Sequence, residues 1–588
     1  MKNDSWVKQI LIRLSLVILA SVLFTASFPN PVIKNGIPFF AWFAFIPLLI
    51  VIYKSGLLSC AAWGALYGFT SYALFNYWLG TFHPLAGTIT YTIFLFYMAA
   101  VFVLLKLAVI FFPKRGYLVQ WLIWLSYEYL RTKGFLGYSY GITGYSQWRI
   151  TPLIQIASIT GVWGVSAIVT FPSFCLAEFI SNFSRGDAKC AKIAEEDLSL
   201  SEKKPPHPLR SSRPSRLCEI SSLINLKNKT PAVVWLVVVI SSLVFGFVNM
   251  KDYSYYPSAN IALIQHNTDP WAASRAPSSR QVTELYRRDL TSLIRLSDEA
   301  LSSEPKPQMV VWPETAFIPR IYWHTTYRDD QNSWALVKEL LEYLSKQDVP
   351  FLIGNNDARK DSSINPNASE KHRVDYNAAL LYENGINTGV YRKLHLVPFT
   401  EHFPYQKQLP VFYKWLKEAD THFWEKGKEE TIFNGPGFTF ASVICFEDTF
   451  GYISRNFTRK GADVLVNLSN DAWSNSLSAQ YQHLSMAVFR AVENNRPLVR
   501  STSSGQTCAI DPNGRITAHA PPFVETGLNV TIPLVKNITM YTKNGDYLAV
   551  FFVIMAVAML LSGAVWCTIR KLKSRGNNEH PEENTNRR

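Results

Sequence analysis

Three short segments carry an apolar run up to a side chain that can do chemistry. MVVWPE closes on Glu314, VYRKLHLV carries Lys393, and VICFEDTF sets Cys445 between an apolar run and two carboxylates. Together they would supply a base, a cation and a sulfur nucleophile. The thiolate attacks rather than the thiol, so a proton acceptor or a positive charge must lie within reach. The tetrahedral oxyanion formed next needs a donor aimed at it. A glutamate in an apolar pocket has its pKa raised into a range useful for proton transfer. Taken singly, each residue also has an ordinary reading. Glu314 fits an exposed strand-end carboxylate, Lys393 a surface lysine whose charge Arg392 could equally carry, and Cys445 an inert buried thiol. Between residues 251 and 545 Cys508 is the one other cysteine, so a Cys445–Cys508 disulfide is the competing assignment in an oxidising compartment.

Bringing together groups so distant in sequence requires a layered core. Apolar runs at 260–266, 308–314, 350–356, 378–383, 438–447 and 462–470 read as strands, and 282–301 and 333–347 as helices. Further strands are predicted near 498–504, 507–511 and 527–533, with a turn at Asp511-Pro-Asn-Gly514. Strand–helix alternation predicts an α/β layered domain, whose reactive residues collect just past strand ends. VVWPE, VICFE and VLVNLSND read as sharing one such edge.

The rest of the chain is apolar in blocks. A bilayer takes about 20 apolar residues to cross. Runs at 10–27, 37–53, 56–79, 88–112, 117–130, 153–180, 231–250 and 546–567 predict about eight spans, the first interrupted by Arg13 and the fifth short. When the spans alternate sides, Lys2, Lys8, Arg13, Lys114, Arg115, the basic segment 181–230 and the tail from Arg570 all fall on one face, which the positive-inside rule makes the cytoplasm. Residues 1–250 then read as seven spans with a polar cytoplasmic loop at 181–230. Residues 251–545 form an outer domain, 546–567 the last span and 568–588 a basic cytoplasmic tail. The first run also fits a signal peptide, whose removal would leave this orientation unchanged. Much of the +14 net charge lies in cytoplasmic segments and calls for no nucleic-acid partner. The outer loop 131–148 is rich in Gly and Tyr, as suits an irregular interfacial segment. No Cys/His spacing of the zinc-binding kind occurs, so no metal is expected.

In this order and at these separations, WPETA, YRKLHLVPFTE and ICFE resemble the nitrilase (carbon–nitrogen hydrolase) superfamily, whose catalytic glutamate, lysine and cysteine match Glu314, Lys393 and Cys445. NLSNDAW (467–473) and HLSMAVFRAVENNRPLVRSTSSG (483–505) add to the likeness. With the spans, EYLRTKGF (128–135) and GYSQ (144–147), nearly the whole chain resembles the apolipoprotein N-acyltransferase family. The resemblance implies a four-layer α-β-β-α sandwich held on the periplasmic side of a helical bundle in a bacterial inner membrane. It implies acyl transfer from the sn-1 position of a phospholipid, through a thioester on Cys445, to the N-terminal α-amino group of a diacylglyceryl-cysteine apolipoprotein. No cofactor is implied. Glu401 and Glu447 match further glutamates that support the site, while Trp271 and Asn470 are candidate substrate contacts. Phe446 stands where the family usually has tyrosine, which leaves it an aromatic packing role. Apolar stretches at 410–415 and 422–424 are candidate flaps at the bilayer surface. The insert at 181–230 is longer than the family usually carries. Two other classes of function compete: a membrane-tethered amidase or nitrilase hydrolysing a small amide, and a transporter or receptor with a ligand-binding outer domain. Charged residues that mark a transport path are few within the spans, Lys106 being the main one.

Overall fold

The computed structural model describes residues 2–82, 84–201, 230–360, 373–418 and 423–578. The apolar runs of the first half form helices α1 (Lys2–Ser27), α2 (Ile46–Tyr53), α3 (Leu57–Phe75), α4 (Pro84–Phe111), α5 (Gly116–Leu130), α6 (Val162–Ser201) and α7 (Thr230–Asn249). The polar segment expected to be a loop from 181 is instead helical as far as Ser201, in keeping with its Ala, Glu, Lys and Leu content. Its remainder, 202–229, lies outside the described residues, as does the tail from 579. Close packing of α3 on α4 depends on glycine. A Cβ on Gly64 would lie 2.4 Å from the Met98 carbonyl oxygen, and one on Gly68 2.2 Å from that of Phe94. Lys106 Nζ donates to the carbonyls of Ile52 (3.0 Å) and Tyr53 (3.4 Å) at the end of α2, where a cation meets the negative end of the helix dipole.

The second half holds two six-stranded sheets. Strands that position the site are β1 (Ser258–Gln265), β2 (Met309–Val311), β3 (Phe351–Lys360), β4 (Arg373–Glu383), β5 (Ile386–Arg392), β7 (Phe438–Ile444), β8 (Val464–Ser469) and β9 (Leu498–Thr502). With β6 (Phe433–Gly435), β10 (Cys508–Ile510), β11 (Ile516–His519) and β12 (Thr526–Pro533) completing them, the first sheet runs β12-β1-β2-β3-β4-β5 and the second β11-β10-β9-β8-β7-β6. Side chains alternate across a strand, and β1 shows how both faces of a sheet are used. Ile261 and Leu263 enter the core between the sheets, while Ala262 and Ile264 enter the core under helices α8 (Ser279–Leu301) and α9 (Gln331–Leu344). Strands apolar on both faces read as continuous hydrophobic runs, which is why the sequence reveals them. Ser501 on β9 ties the sheets together by donating to the carbonyls of Ile264 (2.8 Å) and Val311 (3.1 Å).

The single shared edge expected for VVWPE, VICFE and VLVNLSND is not what forms. β2 lies in the first sheet, β7 and β8 in the second; the stacked sheets bring the strand ends together. On the outer face of the second sheet lies α12 (Leu477–Asn494), after the amphipathic helix α10 (Pro410–Glu418) and α11 (Gly451–Arg459). Every residue of α12 from Ser478 onward is buried, because its far side meets the bundle. Gln482 donates to the Pro29 and Phe75 carbonyls (2.9 and 3.0 Å) and accepts from the Trp78 indole (3.0 Å). The last helix, α13 (Tyr547–Asn578), returns to the bundle beside α5. Among the described residues five helices, within α1, α4, α6, α7 and α13, are long and apolar enough to cross a bilayer. Of the other three expected spans, α2 and α5 are shorter, 8 and 15 residues, and α3 is 19 residues.

Candidate active site

Each candidate reactive residue follows directly on strand structure, where the backbone is held by its ladder and the side chain is released from it. Glu314 lies shortly after β2, and Lys393, Cys445 and Asn470 are the residues next after β5, β7 and β8. The register of the first sheet continues one step into the site, since the Lys393 amide donates to the Asn377 carbonyl on β4 (2.8 Å). Cys445 itself has a left-handed backbone, φ 51°, a conformation that costs a residue with a Cβ about 1 kcal/mol or more. That sharp turn presents the sulfur at the head of the strand.

The three side chains converge. Glu314 Oε1 accepts from the Asn377 amide (2.8 Å) and lies 3.6 Å from Lys393 Nζ. Its Oε2 accepts from the backbone amide of Asn470 (3.0 Å), and the Cys445 thiol lies within electrostatic reach of this carboxylate. Lys393, fully buried, donates to Glu401 Oε1 at 2.8 Å, and Glu401 Oε2 accepts from the Val397 amide (2.8 Å). Burial raises the Glu314 pKa, opposed by Lys393 and reinforced by Glu401. Burial works against a charge on Lys393, but Glu401 and Glu314 outweigh it and the pKa is pushed up. The Cys445 thiol is pushed well above its ordinary value by burial and by Glu314, with Lys393 pulling the other way. The site therefore sets a thiol, an ammonium and a carboxyl group of raised basicity beside one another. Cys445 and Cys508 are both free thiols, so the disulfide alternative is not formed.

Glu447 holds the frame. Its carboxylate accepts from the Tyr391 hydroxyl (2.9 Å) and from the amides of Leu394 (2.6 Å), His395 (2.9 Å) and Ile444 (2.8 Å). One side chain thereby ties the segment after Lys393 to the turn at Cys445. Burial pushes its pKa up to about 7 against the pull of the Ile444 amide and Lys393. In Glu447→Gln an NH₂ group would face donors, and an error of about 1 Å in such a frame costs on the order of 100-fold in rate. We expect acylation of Cys445 in this variant to slow by about that factor with the fold retained, measurable by single-turnover mass spectrometry beside a thermal melt. Phe446 is buried, its ring edge-on to Phe450 at 4.9 Å, and it also borders the cavity.

A cavity of about 430 Å³ opens beside Glu314 and Cys445. The catalytic half contributes Glu314, Glu401, Cys445 and Asn470, and the bundle contributes Trp78 and the outer end of α4. Trp271 stands half-exposed in its wall, edge-on to Trp473 at 4.9 Å. Trp424, in the second candidate flap, lines it, and of α10 the lining residue is Leu416, one past the first candidate flap, whose residues 410–415 do not line it; His422 lies outside the described residues. Sequence reasoning missed Asn377, a lone amide inside an apolar strand. It missed a buried network too: His483 bridges Asp448 (2.6 Å) and Asp471 (3.0 Å), and Arg500 pairs with both aspartates. The network underlies the Cys445 turn and links it to α12.

Comparison with known proteins agrees with this geometry. Residues 260–538 match the carbon-nitrogen hydrolase family and residues 20–175 the apolipoprotein N-acyltransferase N-terminal domain. Apolipoprotein N-acyltransferase 1 of Treponema denticola is 42% identical over 560 residues, covering 93% of this chain and 96% of that protein. Its namesake in Treponema pallidum is 41% identical over 574 residues, 96% and 98% of the two chains. The chain belongs to the apolipoprotein N-acyltransferase family. The likeness extends to apolipoprotein N-acyltransferase of Geobacter metallireducens, 30% identical over 544 residues, 91% of this chain and 92% of that one. Family membership and the long apolar helices make this a membrane protein with a nitrilase-type hydrolase half.

Proposed function

We propose that the protein transfers an acyl chain from the sn-1 position of a phospholipid to the N-terminal α-amino group of a diacylglyceryl-cysteine apolipoprotein. The observation that carries this reading is that Glu314 and Cys445, with Lys393 Nζ 3.6 Å from Glu314, line a cavity whose other wall is a bundle helix. A soluble amide would need no such wall. In the first step Cys445 Sγ bonds to the ester carbonyl carbon while Glu314 takes the thiol proton. Lys393 faces the developing oxyanion, a stabilisation worth about 3–4 kcal/mol in barrier. The C–O bond then breaks, and the proton on Glu314 passes to the departing oxygen of the lysophospholipid. In the second step the α-amino nitrogen attacks the thioester and Glu314 accepts its proton. The C–S bond breaks and the thiol is restored. Splitting the transfer at a covalent intermediate lets the two lipid substrates bind in turn.

The positive-inside pattern supports a periplasmic catalytic domain at 251–545, seven spans within 1–250, a last span at 546–567 and a cytoplasmic tail at 568–588. Both substrates keep their tails in the bilayer, which fits a cavity opening at the outer leaflet of a bacterial inner membrane. The reading is tested by incubating the full-length protein with phospholipid and a diacylglyceryl-cysteine peptide. N-acylated peptide and lysophospholipid in equal amounts are expected. Release of free fatty acid with the peptide unmodified would show a hydrolase instead.

A further inference from the structure

Between α5 and α6 the chain passes through the seam where the bundle meets the catalytic half. Tyr140 stands at that seam, and its carbonyl accepts from Arg131 Nη1 at 2.9 Å. Its ring stacks on Tyr138 at 5.1 Å, packs on Trp78 at 5.5 Å and lies 6.4 Å from the His483 ring of α12. The next residue, Gly141, has φ 82°, and a Cβ there would lie 3.0 to 3.1 Å from Phe24, Phe75 and Tyr72. Glycine makes this turn without strain, and the turn fixes where the Tyr140 ring enters.

Tyr140 is 7% exposed and lines the cavity. It lies within electrostatic reach of Cys445. Among the described residues its hydroxyl makes no hydrogen bond. The two nearby carboxylates, Asp448 and Asp471, are already held by His483 and Arg500. Buried polar groups are almost always paired, so a hydroxyl left unpaired beside a nucleophile marks a place for a substrate atom. Burial holds its pKa well above the ordinary phenol value, so the group stays an O–H donor. Phe446, next after Cys445, borders the same cavity with a ring that carries no donor. Lys393 serves the carbonyl oxygen of the ester. The second ester oxygen, the one that departs, needs a donor of its own as the C–O bond breaks.

We propose that Tyr140 is a catalytic residue whose O–H donates a hydrogen bond to the departing sn-1 oxygen, so that the bundle completes a site otherwise built by the catalytic half. The inference rests on the acyl-transfer reading above and adds a group that acts in its first step. There the Sγ–C bond forms and the C–O bond breaks. The electron pair leaves on the glycerol oxygen, which receives the proton that Glu314 took from the thiol. Tyr140 disperses the charge on that oxygen during its departure and ends the step with its own proton in place. In the second step the departing atom is the Cys445 sulfur, a better leaving group and a weak hydrogen-bond acceptor, so the hydroxyl matters little there.

The test gives the full-length protein in nanodiscs two phospholipids, identical but for sulfur in place of the departing sn-1 oxygen. The rate of thioester formation on Cys445 is read by intact mass in single turnover. Tyr140→Phe removes one hydroxyl and keeps the ring contacts, so the melting temperature should be retained. With the oxygen ester its rate is expected to fall about 10²- to 10³-fold, the range for losing one preorganised donor. With the sulfur donor the rate should stay near that of wild type. Once acylated, the variant should pass its chain to a diacylglyceryl-cysteine peptide as fast as wild type does. Tyr138→Phe removes a neighbouring hydroxyl that is sealed within the protein and should leave both rates unchanged. An unchanged oxygen-ester rate in Tyr140→Phe, or an equal loss with both donors, would overturn this role alone. No thioester from either donor in the wild-type protein would overturn the acyl-transfer reading as well.

Discussion

Replacing Cys445 by alanine is expected to abolish thioester formation and to lower acyl transfer by at least about 10⁴-fold, the scale on which removal of an enzymatic nucleophile acts. The geometry leaves no substitute. Cys508 is the other thiol of the catalytic half, and it is fully buried on the second sheet with its pKa pushed up to about 12, chiefly by burial. Asp471 lines the cavity too, but its carboxylate is committed to Arg500 and His483. The removed group is small and borders a cavity, so the fold should survive and phospholipid should still bind. Measuring transfer alongside binding of a fluorescent phospholipid separates the two effects. A binding protein of the transporter or receptor class would lose neither.

The second large effect concerns charge. Lys393 is fully buried between Glu314 and Glu401, and its removal would strand two carboxylates in an apolar setting. Breaking one side of a buried pair costs about 3–5 kcal/mol, so Lys393→Met should lower stability sharply as well as rate. Lys393→Arg discriminates better. It keeps the charge and exchanges a compact ammonium for a planar fork in a space with no exposure. Acylation of Cys445 is expected to fall about 10²- to 10³-fold, the range for losing one preorganised donor to an oxyanion, with a much smaller loss of melting temperature than in Lys393→Met. Wild-type rates in Lys393→Arg would remove this side chain from the oxyanion role.

What could be read from sequence followed how completely each element is buried. β1, β2, β3, β7 and β8 are buried on nearly every residue and announce themselves as apolar runs closing on polar groups. That is why Glu314 and Cys445 stand out. β5 was not legible: INTGVYR is an edge strand, largely exposed over its first half, and edges carry little apolar pattern. Lys393 was therefore found by its motif rather than by its strand. Helix α12 escaped for the opposite reason. Buried on all sides, it has no polar face and shows no 3.6-residue stripe; its Gln482, His483 and Arg490 are satisfied by partners far along the chain. The division of the strands between two sheets was equally hidden, since an apolar run reads the same in either. Asn377 illustrates the same limit, because only the fold brings its amide to Glu314.

The most direct test is the mass of Cys445 itself. Full-length protein given phospholipid and no acceptor should gain one acyl chain, mapped to the peptide carrying Cys445 and removed by neutral hydroxylamine, with one lysophospholipid released per chain. An unmodified Cys445 peptide under conditions in which acyl transfer proceeds would contradict the account.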